Sequence, residues 1–430
     1  MKILNTKTDD GAVIEKALTA ETAFGESNIS DIVKSIIQDV KAGGDKCLLE
    51  LGRKFDSPML DSLKVSEEEI KAAYDDVDES LITALKKAKE NIYNFHSNQV
   101  QNSWKTTQNG CTYGQIIRPI DTVGVYAPGG LACYPSTVLM TCVPAIVAGV
   151  RHIIMCAPCA KDGKMSSAML VAADMCGVKD IFKIGGAGAV AAMAFGTESV
   201  PRVDKIVGPG NAFVAEAKRQ LFGVVGIDQV AGPSEILVIA DKTSDPYYVA
   251  ADMLSQAEHA KDSRCVCVTD SAEIAEKVIE ETKKQTEGAM RADCIEASLE
   301  KNGIIVICRD IDECCYYANV FAPEHLEIQT EDSWAVVPKI KNAGTIMVGK
   351  WTPVPVCDFA AGPNHTLPTN GTARFSSALS VDDYIKKSGI LSFEEEGLKN
   401  IAPTALKIAD TEGFEAHGET MRKRFPNEKM

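Results

Sequence analysis

The chain has 430 residues, 45% apolar and 24% charged, a balance that suits a globular protein with a large core and about two to three domains. Its formal net charge of −15 argues against nucleic acid or an anionic membrane as a partner. No apolar run follows Met1-Lys2-Ile3-Leu4-Asn5, so no signal peptide is expected; the protein is placed in the cytoplasm, with its fourteen cysteines as reduced thiols.

Helical spacing of apolar residues marks 32–37 and 81–88, and helix is expected over roughly the first hundred residues. After Trp104 short strands begin to alternate with helices. The first such run has strands at 122–126, 152–155, 181–184 and 205–207, with helices at 166–175, 189–194 and 212–221. Between its first two strands lies 131–150, nearly all apolar and about long enough to span a bilayer. Pro135 and Pro144 interrupt it and no cationic cluster flanks it, so it reads as a buried helix entered through Pro135. Cys156-Ala157-Pro158-Cys159 has no second CxxC and reads as a strand end with buried thiols.

The second run has strands at 236–239, 265–268, 304–307, 325–328 and 345–348, and helices at 247–259, 272–286 and 314–320. Cys265 and Cys267 alternate along their strand and should face one side. Past Asp383 the pattern is helical, with no obvious strand. Repeated strand–helix units imply parallel sheets covered on both faces. The expected fold is α/β, with two related doubly wound domains, a helical N-terminal region and a helical C-terminal tail.

Four of the six histidines sit in segments crowded with ligand-type side chains. Gln256 and His259 are three apart on a predicted helix, so they share a face. Glu324 and His325 are adjacent at a strand entry, where neighbours point apart and can serve two separate proton transfers. Asp358 and His365 lie on a proline-stiffened loop beyond a parallel strand, a usual place for ligands in α/β proteins. His417 follows Glu412 in the tail. Gly186, Gly188 and Ala191 fit G-x-G-x-x-A between strand and helix, but Asp204 precedes the next strand, where a dinucleotide loop needs an acid at its end. Gly208-Pro209-Gly210-Asn211 is a second glycine turn at a helix start, and both turns are expected to offer backbone N–H groups to an anion.

Taken together, Val125-Tyr126-Ala127-Pro128-Gly129-Gly130, Val207-Gly208-Pro209-Gly210-Asn211-Ala212-Phe213-Val214, Ala231-Gly232-Pro233-Ser234-Glu235, Leu254 to His259, Pro323-Glu324-His325-Leu326, Gly362 to Thr369 and Phe414-Glu415-Ala416-His417 resemble the histidinol dehydrogenases. The resemblance runs in order along essentially the whole chain. It implies oxidation of L-histidinol to L-histidine through an aldehyde with two NAD+, in histidine biosynthesis. It implies one zinc ion per subunit, with Gln256, His259, Asp358 and His417 as ligands. Glu324 and His325 fall at proton-transfer positions, Ser234, His365 and Glu412 at substrate contacts, and Tyr126, Gly188 and Asn211 at NAD contacts. The substrate-binding set also includes the four ligands and the Glu–His pair. Gly188 stands where such enzymes typically carry glutamine.

The implied domains are an arm over 1–25, a discontinuous α/β domain over 26–121 and 232–380, an inserted domain over 122–231, and a tail over 381–430. The implied assembly is a homodimer whose tail completes the neighbour's site. The competing expectation is a paralogous zinc-dependent NAD dehydrogenase acting on another small polar alcohol, such as a sulfonated diol.

Overall fold

The computed structural model describes residues 1–19, 27–129 and 133–426. Parts of the expected arm over 1–25 and of the apolar stretch from Leu131, and Gly130, lie outside the described residues. The chain forms two compact units, Met1–Gln99 with Ile120–Tyr384, and Val100–Pro119 with Ile385–Met430.

The larger unit holds two parallel sheets. The six-stranded sheet runs Lys2–Asn5, Gly303–Ile307, Arg264–Thr269, Glu235–Ala240, His325–Gln329, Thr345–Val348. The five-stranded sheet runs Asp180–Lys183, His152–Ala157, Thr122–Tyr126, Lys205–Val207, Gly226–Ile227. In each, the chain starts centrally, winds to one side, returns to the other side of its first strand and winds outward again. Lys2–Asn5 is added at an edge of the larger sheet, parallel to Gly303–Ile307.

Strands buried on both faces read as unbroken apolar runs. Leu237, Ile239, Val266, Val268, Leu326 and Ile328 pack on one face of the larger sheet. Ile236, Val238, Cys265, Cys267 and Ile305 pack on the other. Burying one such aliphatic side chain contributes about 1.5–3 kcal/mol. The apolar stretch forms a helix over Pro135–Ala148, too short to span a bilayer and packed in the core beside the smaller sheet. No helix among the described residues is long and apolar enough to cross a membrane. All fourteen cysteines are free, Cys156 and Cys159 both buried.

The N-terminal region is helical as expected, in Gly11–Leu18, Ser27–Phe55, Glu67–Asp76 and Glu79–Ser97. Three details differ. A strand, Lys2–Asn5, precedes those helices. The C-terminal segment is not wholly helical, because Ile385–Phe393 is a strand. It pairs antiparallel with Cys111–Pro119, which pairs with Trp104–Gln108. This three-stranded sheet belongs to the smaller unit, with helices Glu395–Thr411 and Glu415–Arg422. Finally, the helix expected over 247–259 is Pro246–Ala257, capped at Glu258, so His259 lies beyond its end.

Candidate active site

A helix following a parallel strand runs back against it, so the end of Pro246–Ala257 returns to the amino edge of the larger sheet. There Gln256 meets His325, the first residue of its strand: Gln256 Nε2 lies 2.7 Å from His325 Nδ1. His325 Nδ1 is also 3.1 Å from the Glu235 carbonyl and 3.6 Å from Glu324 Oε2. On its other side, His325 Nε2 lies 3.0 Å from Asp358 Oδ1. Gln256, Glu324, His325 and Asp358 are all nine-tenths buried or more.

Asp358 does not stay at the carboxyl end of Thr345–Val348. The chain turns back through Val354–Val356 and a short π-helical segment, Cys357–Ala361. The loop that follows is wedged against two helices. Asn364 Nδ2 donates to the Met140 carbonyl at 2.6 Å, and Asn91 Nδ2 to the Ala360 carbonyl at 2.8 Å. Gly362, at φ 122°, makes this approach feasible, since a Cβ there would sit 2.8 Å from the Asn91 carbonyl and from Phe95 Cβ. His365 Nδ1 lies 2.8 Å from the Asp358 carbonyl, which accepts its proton, and Nε2 is 3.2 Å from Thr137 Oγ1. The site is therefore at the amino edge of the larger sheet, not at the carboxyl edge where its loop pattern pointed.

Electrostatics reflect this crowding. Burial would push His325 down, but the Glu324 and Asp358 carboxylates overcome it and hold the imidazole well above its usual value. Burial would raise Asp358, yet the His325 hydrogen bond and the facing His325, His365 and His259 rings keep its carboxyl below the ordinary range. Burial holds His365 low, against the pull of Asp358. Gln256 Oε1 is buried without a hydrogen-bond partner. Ser234 precedes Glu235 at the same edge, half-buried, and its carbonyl accepts from Arg264 N–H at 2.9 Å.

Tyr126 and Asn211 flank the crossover of the smaller sheet, at its carboxyl edge. Tyr126 Oη accepts the Gly186 N–H at 3.1 Å, and burial pushes this phenol up to about 12. Asn211 Oδ1 caps Ala212–Leu221 by accepting from Phe213 and Val214 N–H. The Gly208 N–H goes to Asp228 at 2.8 Å. The Gly186, Gly208, Phe213 and Val214 amides are thus engaged within the protein. Gly208, at φ 111°, must be glycine, because a Cβ would fall 2.1 Å from the Tyr126 carbonyl. Gly188 lies inside the helix Gly186–Phe195, and a Cβ there would face Leu48 and Leu51 at 3.5 Å.

Glu412 caps the end of Glu395–Thr411, and His417 lies on Glu415–Arg422 with its ring 5.1 Å from that of Phe414. Both are exposed and belong to the smaller unit. The larger unit thus brings together Gln256, Glu324, His325, Asp358 and His365, with His259 close enough to act on Asp358. Among the described residues, no group of three or more His, Cys, Asp or Glu side chains is arranged as around a metal ion.

Glu235 and Arg264 were missed as a pair behind this site. Each opens an apolar strand, and they stand opposite in register. Opposite charges at matching ends of two buried strands were the available signal. Burial pushes Glu235 up to about 7, Arg264 drawing it down and Glu324 raising it.

A family model described as Histidinol dehydrogenase matches residues 20–425. The chain is 50% identical over 426 residues to a histidinol dehydrogenase of Clostridium acetobutylicum, covering 99% of both chains. It is 49% identical over 393 residues to that of Bacillus subtilis, covering 91% of this chain and 92% of the relative. The crystal structure of histidinol dehydrogenase from Elizabethkingia anophelis is similar to it with a TM-score of 0.94 at 36% identity, covering 99% of this chain and 98% of that one.

Proposed function

Because the chain belongs to the histidinol dehydrogenase family of NAD-linked oxidoreductases, we propose that it oxidises L-histidinol to L-histidine through an aldehyde with two NAD+, at the site around His325. The observation that carries this reading is the His325 ring set between Gln256, Asp358 and Glu324 in a chain half identical to such an enzyme over its length. These relatives lend no support to a paralogue acting on a sulfonated diol or another small polar alcohol.

The donor set fits zinc. Gln256, His259 and Asp358, with His417, make a mixed N/O set, and Gln256 Oε1 is a buried oxygen with no partner. Zinc has no redox chemistry and would supply a fixed positive anchor for the substrate's imidazole and amine. Ser234, His365 and Glu412 would complete the substrate contacts.

His325 accepts the alcohol proton as hydride leaves the carbinol carbon for the nicotinamide. That needs a neutral ring, and a ring facing two free carboxylates is held protonated. Asp358 must therefore be engaged elsewhere, as a ligand would be. Glu324 then takes a proton from water as its oxygen attacks the aldehyde carbon, giving a hydrate. Loss of a second hydride from that hydrate to a second NAD+, with one hydroxyl proton taken up by His325, would leave the carboxylic acid. Keeping the aldehyde bound prevents its loss to side reactions.

Tyr126, Gly188 and Asn211 would line the cofactor site. Glutamine at 188 would have to pass Leu48 and Leu51, so glycine keeps that helix face closed and forgoes one amide contact. The proposed protein is a cytoplasmic homodimer without nucleic-acid or membrane partners, in which the smaller unit carries the tail ligand. Trp104, Leu391, Ile408 and Phe414 are exposed apolar side chains of that unit, as an interface between copies would need. Purified, zinc-loaded protein with L-histidinol and excess NAD+ should form two NADH per histidine; absence of NADH under these conditions would refute the reading.

A further inference from the structure

Glu324 and His325, the proton-transfer pair proposed above, are both held by the backbone of one residue, whose own side chain turns to Arg264 and Asn370. The peptide groups on either side of the Glu235 Cα bind both members of the proton-transfer pair. The Glu235 N–H donates to Glu324 Oε2 at 2.7 Å, and the Glu235 carbonyl lies 3.1 Å from His325 Nδ1 and 3.5 Å from Gln256 Nε2. The Glu235 side chain is fixed independently. Its carboxylate accepts from Arg264 Nη1 at 3.1 Å and from the Asn370 N–H at 3.1 Å. Arg264 is anchored in turn: Nη2 donates to the Leu18 carbonyl at 2.7 Å, and its guanidinium lies 4.6 Å from the centre of the Phe321 ring. Glu235 is fully buried and Arg264 nearly so. A charged pair in that setting costs desolvation that apolar residues would avoid, and packing alone gives no reason for it here.

We propose that Glu235, pinned by Arg264 and Asn370, is a positioning residue that sets Glu324 and His325 for both chemical steps. This rests on the reading of Glu324 and His325 as the proton-transfer pair. Misplacing reacting groups by about 1 Å can cost about a hundredfold in rate. Because one Cα carries both contacts, alcohol oxidation and aldehyde oxidation should fall together, whereas loss of either Glu324 or His325 should affect the two steps unequally.

The test is kcat and KM for each step, with histidinol and with supplied aldehyde, in Glu235→Gln and in Glu235→Gln/Arg264→Met. The single variant leaves a buried arginine unpaired and can fail to fold. The double variant leaves no buried charge in the pair, so its stability should recover, and the substituted amide oxygen can still accept from the Asn370 N–H. In the double variant, with folding monitored by thermal melting, kcat for both steps should stay at least about tenfold below wild type, with KM for NAD+ within about threefold. A double variant that regains both stability and both rates would show that the pair only supports the fold and overturn the inference. Glu324→Gln and His325→Ala are measured alongside: if these leave both steps intact, the reading of the pair is what fails, and this inference goes with it.

Discussion

Glu324 and His325 are adjacent in the chain but sit in different surroundings. His325 is the first residue of a buried strand, ringed by Gln256, Asp358 and the Glu235 carbonyl. Glu324 precedes the strand and is held by a backbone N–H. Their roles should therefore separate: His325→Ala should depress alcohol oxidation most, and Glu324→Gln should mainly slow conversion of supplied aldehyde, each by about a hundred- to ten-thousandfold. Single-turnover effects below about threefold for both would remove them from catalysis. A third residue has a consequence for pH. His96 is fully buried, its Nδ1 2.7 Å from Gln99 Oε1, an oxygen that also accepts from Val381 N–H. Nδ1 therefore donates, and Nε2 faces the Asn364 amide nitrogen at 3.5 Å as an acceptor. Burial lowers the imidazole pKa, the Gln99 bond opposing it. The folded protein then binds a proton less readily than the unfolded chain, whose histidine titrates near about 6.5. Stability from neutral His96 is present above about pH 6.5 and declines as pH falls below it, until the lower folded pKa is reached. Unfolding measured at about pH 7.5 and about pH 5.5, on either side of that value, should show a larger acid loss in the wild type than in His96→Gln; equal losses would clear His96 of this role.

Among the elements, the double-sheet core was legible because its strands are buried on both faces and read as runs such as Glu235–Ala240 and Arg264–Thr269, every residue buried. The edge strand Lys2–Asn5 was not, since only Leu4 is buried and its partner, Gly303–Ile307, lies far along the chain. The hairpin of the smaller unit was hidden by polarity: Trp104–Gln108 is exposed throughout. Its signal was Asn109-Gly110, which turns with φ of 53° and 70°, the left-handed pair that a tight hairpin requires. The candidate residues that the larger unit brings together stood out in the sequence as ligand-type residues, but not the edge of the sheet they gather at, because that depends on the chain reversing after Thr345–Val348. Gly362 permits that reversal. Gly362→Ala should destabilise by more than about 1 kcal/mol, because the added Cβ meets backbone as well as a positive φ, and it should reduce turnover by displacing His365. Gly288→Ala is the control, at φ 79° with nothing within 4 Å of an added Cβ. Equal melting temperatures for the two variants would show that close approach at Gly362 is not what the glycine serves.

At the scale of the molecule, the proposed zinc ligands come from two compact units: Gln256, His259 and Asp358 from the larger, His417 from the smaller. Prolonged chelation should remove zinc and activity together, and Zn2+ should restore both; full turnover by protein verified as metal-free would exclude the metal from the reaction. The separation of His417 also bears on how subunits combine. If the smaller unit serves its neighbour in a two-fold dimer, each site takes Gln256 from one chain and His417 from the other. Gln256→Ala and His417→Ala, each inactive alone, should then complement. In a mixed dimer one site inherits both lesions and the other neither. Random reassortment makes half the dimers mixed, so roughly a quarter of wild-type activity should return. The subunits must be exchanged by co-expression or by unfolding and refolding, and the mixed species verified by differential tagging. If the smaller unit serves its own chain instead, every site in a mixed dimer keeps one lesion, and verified mixed dimers will stay as inactive as their parents.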